Sequence, residues 1–522
     1  KKVMSTFAWG ISQHGQLGMN PYSESCVVNM IECAKMGMWP TESGLREDIM
    51  NVERPSPTWF PKTVENITSI STSYYHTLCA DEEGRCYAWG APFLLGWETR
   101  NNQKTPQPIP IPQHIKIVQV AAGKYHSLAR DAEGNVYSWG STENGRLGCG
   151  NLKNMRKTKF KPLKVKINAK ISHVAIGECT SFAVGEERGD VYCWGKNKSG
   201  VFGPTNEFKK DEIVYTPRLS NAFQKFHVKT LSCPFDHGVA LTEDKNVITW
   251  GSNQELLGRS SKTYVDTIPA CAVDLNEIGN TDIGYVSVRA GRSHSVVLDS
   301  LGRLYVWGIT KESYQRTIAA QSPDFKKDCI STPLDIKSFV IIDGNKKGMT
   351  KRVEFKSGHP ATRIERIAAF SFHTIAVSKD QRIYTWGVDK VNRLGRDTGG
   401  DSKAYIPTQI PLISNLLPFD GYKFQWEIND SKDNDDGNVF GDDDDDDDDS
   451  NGNAAKKTVR VIEVDAGEAQ SFVVLTKNQN DDDEYVDNSG DIDDDNSDAV
   501  DIDEKVDEVG DDEDEKDEKK GE

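Results

Sequence analysis

A Trp-Gly pair recurs seven times along the chain, at Trp9, Trp89, Trp139, Trp194, Trp250, Trp307 and Trp386, with spacings of 80, 50, 55, 56, 57 and 79 residues. Self-similarity at such a period marks a repeat architecture, in which one unit cannot bury its apolar face alone and stacks on its neighbours. Most pairs end a short β-forming run, as in CYAWG, NVYSWG, DVYCWG and RLYVWG. Several lead through a polar turn to Leu-Gly: His14 to Gly18, Asn144 to Gly148 and Asn392 to Gly395. A second element precedes every pair but the first and appears once more after the last. It reads SISTSYYHTLCA, VAAGKYHSLAR, VAIGECTSFAV and, finally, VDAGEAQSFVVL. Tight glycine turns such as Asp81 to Gly84, Asp131 to Gly134 and Asp299 to Gly302 join the two elements. Strand, glycine turn, strand is a hairpin signature, and the whole unit reads as a small antiparallel sheet.

The order of the elements predicts closure. The chain starts on a Trp-Gly element without an upstream partner, Phe7 to Gly18, and its last ordered element, Val464 to Leu475, lacks a downstream one. Joining those halves in one sheet removes the open edges of a linear array. The expected fold is therefore all-β: a closed seven-bladed β-propeller over residues 1–476, with insertions at about 19–62, 309–357 and 397–458 and a disordered acidic tail at 477–522. The seven tryptophans are expected between blades, where truncating one would cost about 3–5 kcal/mol. The first insertion carries Cys26, Met30, Cys33, Met36, Met38 and Trp39, with a short helix expected over Cys26 to Met36; the second carries a strand-like run at Phe339 to Ile342.

Charge is distributed unevenly. Glu427 to Asp449 holds 13 acidic residues and one Lys, and Asp481 to Glu522 holds 23 acidic residues and four Lys. The chain's formal charge of −18 thus conceals a body of +13. The eight consecutive aspartates Asp442 to Asp449 offer no apolar surface to offset ordering entropy, so disorder is expected there. Within the body, Asn151 to Lys170 is the densest basic run, with Lys153, Arg156, Lys157, Lys159, Lys161, Lys164, Lys166 and Lys170. Such a run suits phosphates, an acidic protein face or plain solvation.

Several classes are excluded. No run of 18 apolar residues exists to span a membrane as a helix, and no CxxC pair, GxxxxGK[ST], GxSxG or HExxH motif occurs. The ten cysteines read as free thiols in a reducing compartment. The repeat histidines His76, His126, His237, His294 and His373 fall one to a blade, which separates them around the ring. They read as hydrogen-bonded strand-start residues, and no metal or cofactor is expected. The protein reads as intracellular, nuclear or cytoplasmic; since the sequence opens Lys1-Lys2-Val3, a mitochondrial address stays open.

The clearest copy of the unit, Val120 to Gly148 (VAAGKYHSLARDAEGNVYSWGSTENGRLG), resembles the repeat of the regulator of chromosome condensation family. The resemblance runs from Phe7 to Leu475 and implies a monomeric propeller that recognises proteins, though the fold hosts many jobs. It implies that Tyr75, Lys124, Glu178, Asp236, Arg292, Phe372 and Glu468, at loop tips beside the repeat histidine, line one ring face, with His294 retained from the family's exchange factor. Where that exchange factor carries acids this chain has Lys124 and Cys179-Thr180, and Ser141 to Gly145 is too short for its inserted wedge. The expected function is a scaffold or regulator for a protein partner such as a small GTPase or an assembly intermediate. The alternative is nucleotide exchange on Ran at chromatin, through the basic run and acidic tail.

Overall fold

The computed structural model describes residues 4–12, 14–18, 50–58, 60, 64, 66–152, 158–203, 207–252, 256–258, 268–272, 284–309, 329–335, 338–342, 350–354, 363–389, 392–396, 403–410, 423–424 and 458–477. The helix expected over 26–36, the aspartate run 442–449 and the tail beyond residue 477 lie outside them. Seven antiparallel sheets make up the ring. Blade one comprises Ile67–Thr72, His76–Asp81, Cys86–Gly90 and Gln103–Pro108, and blade two Ile117–Ala122, His126–Asp131, Val136–Ser141 and Thr158–Val165. Blade three comprises Ile171–Ile176, Thr180–Gly185, Val191–Lys196 and Ile213–Leu219, and blade four Val228–Ser232, His237–Thr242, Val247–Gly251 and Ile268–Ala272. Blade five is Tyr285–Ala290, His294–Asp299, Leu304–Ile309 and Cys329–Asp335, and blade six Ile364–Phe370, His373–Ser378, Ile383–Val388 and Lys403–Gln409. The second insertion extends blade six by Ser338–Ile342, which pairs parallel to the fourth strand at Val340 and Thr408, and by Thr350–Glu354.

Blade seven closes the ring. Its first two strands, Thr458–Ala466 and Gln470–Lys477, come from the C-terminal end of the propeller, and its next two, Met4–Ser12 and Met50–Pro57, from the N-terminal end. Met4–Ser12 runs antiparallel to Gln470–Lys477, from Met4 opposite Thr476 to Gly10 opposite Gln470. No edge remains where the ends of the ring meet, as the order of the elements required.

Each tryptophan of the Trp-Gly pairs is fully buried. Six of the indoles donate Nε1–H to a carbonyl one blade back: Trp9 to Arg393, Trp89 to Gln16, Trp139 to Leu94, Trp194 to Arg146, Trp250 to Val201 and Trp307 to Leu256, at 2.7–2.9 Å. Every acceptor immediately precedes a Leu-Gly or Phe-Gly pair, which explains the motif. At Gly148 (φ +67°) a Cβ would come within 2.8 Å of Trp194 Nε1, so only glycine lets the turn lie against the ring.

The repeat histidines form a second set of links, all buried. His76 Nε2 lies 2.8 Å from Ser127 Oγ, His126 2.7 Å from Ser181, His237 2.9 Å from Ser295, His294 3.2 Å from Thr374 Oγ1 and His373 2.8 Å from Ser471. Each joins one blade to the next. Ser127, Ser181 and Ser471 donate in turn to the carbonyl that receives the indole, so they accept from a neutral Nε2–H imidazole. Gln470 takes the histidine's place in blade seven and donates to Thr72 Oγ1 and the Ser73 carbonyl. Between blades three and four this link is absent among the described residues: Thr180 stands for histidine, and Gly238 for serine, its missing Cβ replaced by the Trp250 ring.

The hairpin turns have their own fastening. Asp131 Oδ1 accepts the Glu133 and Asn135 N–H groups while Oδ2 accepts from Tyr137 Oη. Asp299 and Tyr305 repeat this arrangement, and Asp81 and Tyr87 do so in blade one. The Asp…Gly-x-x-Tyr spacing is thus an Asx-type turn with its phenol clamp.

Two outcomes test this description. Deleting residues 1–18 removes the third strand of blade seven, and the expected result is a large fall in Tm by calorimetry; an unchanged Tm would refute closure by that strand. The second concerns pH. Burial pushes His76 and His294 down to about 3, His237 to about 4, and His126 and His373 well below the ordinary value. An unfolded histidine binds a proton below about pH 6.5 while these do not, so their stabilisation is full above that pH and is lost as pH falls toward 4. At pH 5.5 each deficit is about 1.4 kcal/mol. His126→Gln keeps an N–H for Ser181, as Gln470 keeps one for Thr72, and should flatten the acid limb of the Tm–pH curve.

Candidate partner-docking face

Loops between first and second strands, and between third and fourth, emerge on one side of the ring. The first set carries the residue pairs before the repeat histidine, which gather around the mouth of the central channel. Tyr74, one residue before the expected Tyr75, stands between two cations on opposite sides of that mouth. Lys124 Nζ lies 4.7 Å from its ring centroid, and Arg292 Nη1 donates to its hydroxyl at 3.3 Å. Burial, reinforced by the Glu468 charge, holds the Tyr74 phenol well above its ordinary pKa, so it accepts from Arg292 as a neutral hydroxyl.

The aromatic set continues inward. Tyr74 packs edge-on to Phe370 at 6.1 Å, and Phe370 meets Phe235 at 5.3 Å. Arg292 lies over Phe235 at 4.9 Å and 6.0 Å from Phe372. Tyr75 packs against His14, Phe93 and Tyr125. These rings cover the channel mouth with half-buried aromatic surface.

Charges alternate around the rim. Lys124 Nζ bonds Glu178 Oε1 at 2.8 Å, and Lys198 Nζ lies 4.0 Å from Glu178 Oε2 and 3.8 Å from Asp236 Oδ1. Ser199 Oγ also donates to Asp236 at 3.1 Å. Burial alone would lower the Lys124 pKa and raise that of Glu178; their mutual bond outweighs it, so both stay ionised. The structure thus brings Tyr75, Lys124, Glu178, Asp236, Arg292, Phe372 and Glu468 to one face. His294 is elsewhere: it is buried in the inter-blade links, two residues below Arg292. Tyr74, Phe235 and Phe370 were missed by sequence reasoning, although the doubled tyrosine of SYYH and the longer CPFDH element were visible signals.

Beneath the face runs a polar channel of 410 Å³, lined by the first strands of the blades. Those strands are sheet edges, and side chains of the preceding blade cap their N–H groups. Ser69 and Ser71 accept from Val120 and Ala122, Gln119 from Val174, Ser232 from Ala290 and Asp465 from Thr72. No group of three or more potential metal ligands occurs among the described residues.

The basic run follows the outer edge of blade two. Thr158–Val165 is its fourth strand, and Lys161, Lys164, Lys166 and Lys170 are exposed. Lys153, Arg156 and Lys157 lie outside the described residues, as does the side chain of Lys159.

Comparison with known proteins agrees with this architecture. Two family models, each described as a regulator of chromosome condensation (RCC1) repeat, match residues 67–92 and 117–146, and residues 83–130 and 133–184. The chain is 29% identical over 323 residues to the human E3 ubiquitin-protein ligase HERC2, across 60% of this chain and 6% of the ligase. It is 33% identical over 229 residues to the mitochondrial RCC1 domain-containing protein RUG3 of Arabidopsis thaliana, across 44% of each protein. The chain therefore spans less than half of either relative. Its fold matches yeast RCC1 (Prp20), solved bound to Kap60, with a TM-score of 0.62 at 21% identity, over 91% of this chain and 89% of that one. Regulator of chromosome condensation repeats are thus matched within residues 67–184, and the chain folds as a seven-bladed ring.

Asp465 supplies a test of the channel. Burial pushes its carboxyl up to about 7. The folded state then holds a proton that the unfolded state has released, so this group lowers stability as pH rises from about 4 to 7. Asp465→Asn retains an acceptor for the Thr72 N–H and should raise stability at pH 8 by about 1–3 kcal/mol, with no gain at pH 4. Equal shifts at both pH values in urea titrations would exclude a buried, titrating Asp465.

Proposed function

We propose that this propeller is a protein-recognition module, a scaffold or regulator that docks a partner protein on the face carrying Tyr75, Lys124, Glu178, Asp236, Arg292, Phe372 and Glu468. The observation that carries the reading is the convergence of loop tips from all seven blades on one patch of half-buried tyrosine and phenylalanine, with an exposed arginine over it and ion pairs around it. Buried aromatic and arginine anchors within a polar rim are the anatomy of interface hot spots. The buried links between blades hold these anchors in place, so little side-chain entropy remains to be lost on docking. The partner is of the class of a small GTPase or an assembly intermediate, encountered inside the cell. The similarity to a ubiquitin ligase and to a protein solved bound to Kap60 supports a role in binding other proteins.

Nucleotide exchange on Ran is the weaker reading. Where the family's exchange factor carries acids stand Lys124, already neutralised by Glu178, and Cys179, whose sulfur accepts from Asn144 and Arg146. The turn at Ser141 to Gly145 is a single 3-10 turn, Glu143–Gly145. Binding of chromatin or nucleic acid is a separate reading, supported by the exposed lysines along blade two.

The test pairs capture with exchange. Cross-linked capture from cells with the wild-type chain should recover a partner that Tyr75→Ala/Phe372→Ala reduces about tenfold or more, with Tm unchanged. Equal recovery by both chains would defeat the proposal. GDP release from Ran should be unaffected by stoichiometric protein, whereas strong acceleration would restore exchange.

A further inference from the structure

The cations of the docking face differ in how their charge is met. Lys124 is bonded to Glu178, and Lys198 stands within 4.0 Å of both Glu178 and Asp236. Arg146 is buried, donates Nε–H to the Glu143 carbonyl and packs over Tyr125. Arg292 is exposed and makes no salt bridge with a carboxylate among the described residues, although its charge, with those of Lys124 and Lys198, helps hold the Glu178 carboxyl below its ordinary pKa. It is nevertheless held: its backbone N–H donates to the Ser371 carbonyl at 2.8 Å, Nη1 donates to Tyr74 Oη, and Phe235 and Phe372 flank the guanidinium. The remaining guanidinium donors have no partner among the described residues.

We infer that Arg292 is a carboxylate-binding anchor, taking an Asp or Glu side chain of the docked partner. This rests on the docking reading above and adds its chemistry. A guanidinium stacked between aromatic rings is immobilised without being neutralised, and its planar fork matches a carboxylate through two parallel N–H···O bonds. The rings of Phe235 and Phe372, 4.9 and 6.0 Å away, shield part of the guanidinium from water, which strengthens the charge-assisted pair relative to a fully open surface. Lysine in this place would keep the charge but lose both the stacking and the fork. Lys124 cannot do the same work, because Glu178 already occupies it.

The experiment selects a random peptide library on the full chain and measures the affinities of the winners by fluorescence polarisation. Expected are peptides sharing an Asp or Glu, whose replacement by Asn or Gln weakens binding about tenfold or more. Arg292→Gln should cost the same factor, Arg292→Lys should recover only part of it, and the combined changes should cost no more than either alone. Binding should be indifferent to Lys161→Glu/Lys164→Glu, which alters the basic run. Peptides that lose binding on Tyr75→Ala/Phe372→Ala but lack an acid, or bind Arg292→Gln equally well, would overturn the carboxylate anchor and leave the docking face standing. Peptides indifferent to every change on the face would overturn both. Arg292 is exposed, so an unchanged Tm separates lost binding from lost folding.

Discussion

At six of the seven junctions between blades, one backbone carbonyl carries much of the ring. The carbonyl before Leu-Gly receives the indole N–H of the next blade's tryptophan and, in several blades, the hydroxyl that follows the next blade's repeat histidine or the residue in its place. That hydroxyl takes its own proton donor from the histidine of the preceding blade, so a buried chain of hydrogen bonds crosses the seam and returns. Buried polar groups cost several kcal/mol unless satisfied. The tryptophan, the histidine–serine pair and the Leu-Gly turn therefore belong together, and the motif is the written form of that requirement. The ring stays rigid because each blade completes the hydrogen bonding of its neighbour.

Much of the fold was legible because it repeats. Seven Trp-Gly pairs gave the blade number, and the unpartnered first and last elements gave the closure between Met4–Ser12 and Gln470–Lys477. The histidines were read as hydrogen-bonded strand-start residues, and so they are. The fourth strands were hidden. Gln103–Pro108 (QKTPQP) and Ile213–Leu219 (IVYTPRL) lie at the outer edge, each interrupted by proline and burying a single residue, so no apolar period announces them. The channel caps were equally silent: Ser69, Gln119 and Asp465 act on backbone N–H groups of another blade, a contact that depends on ring geometry and on no local pattern.

The proposed docking face was legible by register, as a set of residues on one side of the ring, and less so in detail. Counting back from the repeat histidine placed seven residues on one surface. It also chose Tyr75 over Tyr74, although Tyr74 spans the mouth between Lys124 and Arg292. The loops around that mouth differ in sequence while the links beneath them largely repeat: the buried layer sets their position, and the exposed residues are free to vary. Blade six illustrates this. Phe370, Ser371 and Phe372 replace the Gly-x-x of its neighbours, and the added aromatic bulk becomes the floor on which Phe235 and Tyr74 rest.

The junction between blades three and four lacks the histidine–hydroxyl link that five other junctions have, since Thr180 faces Gly238. On the docking face directly above, Lys198 and Ser199 of blade three reach Asp236 of blade four. At this one junction part of the fastening has moved from the interior, where salt cannot reach it, to the surface, where mobile ions screen it. Ionic strength thereby becomes a tuning screw on one sector of an otherwise stiff annulus, and the sector it loosens is the one that carries Asp236.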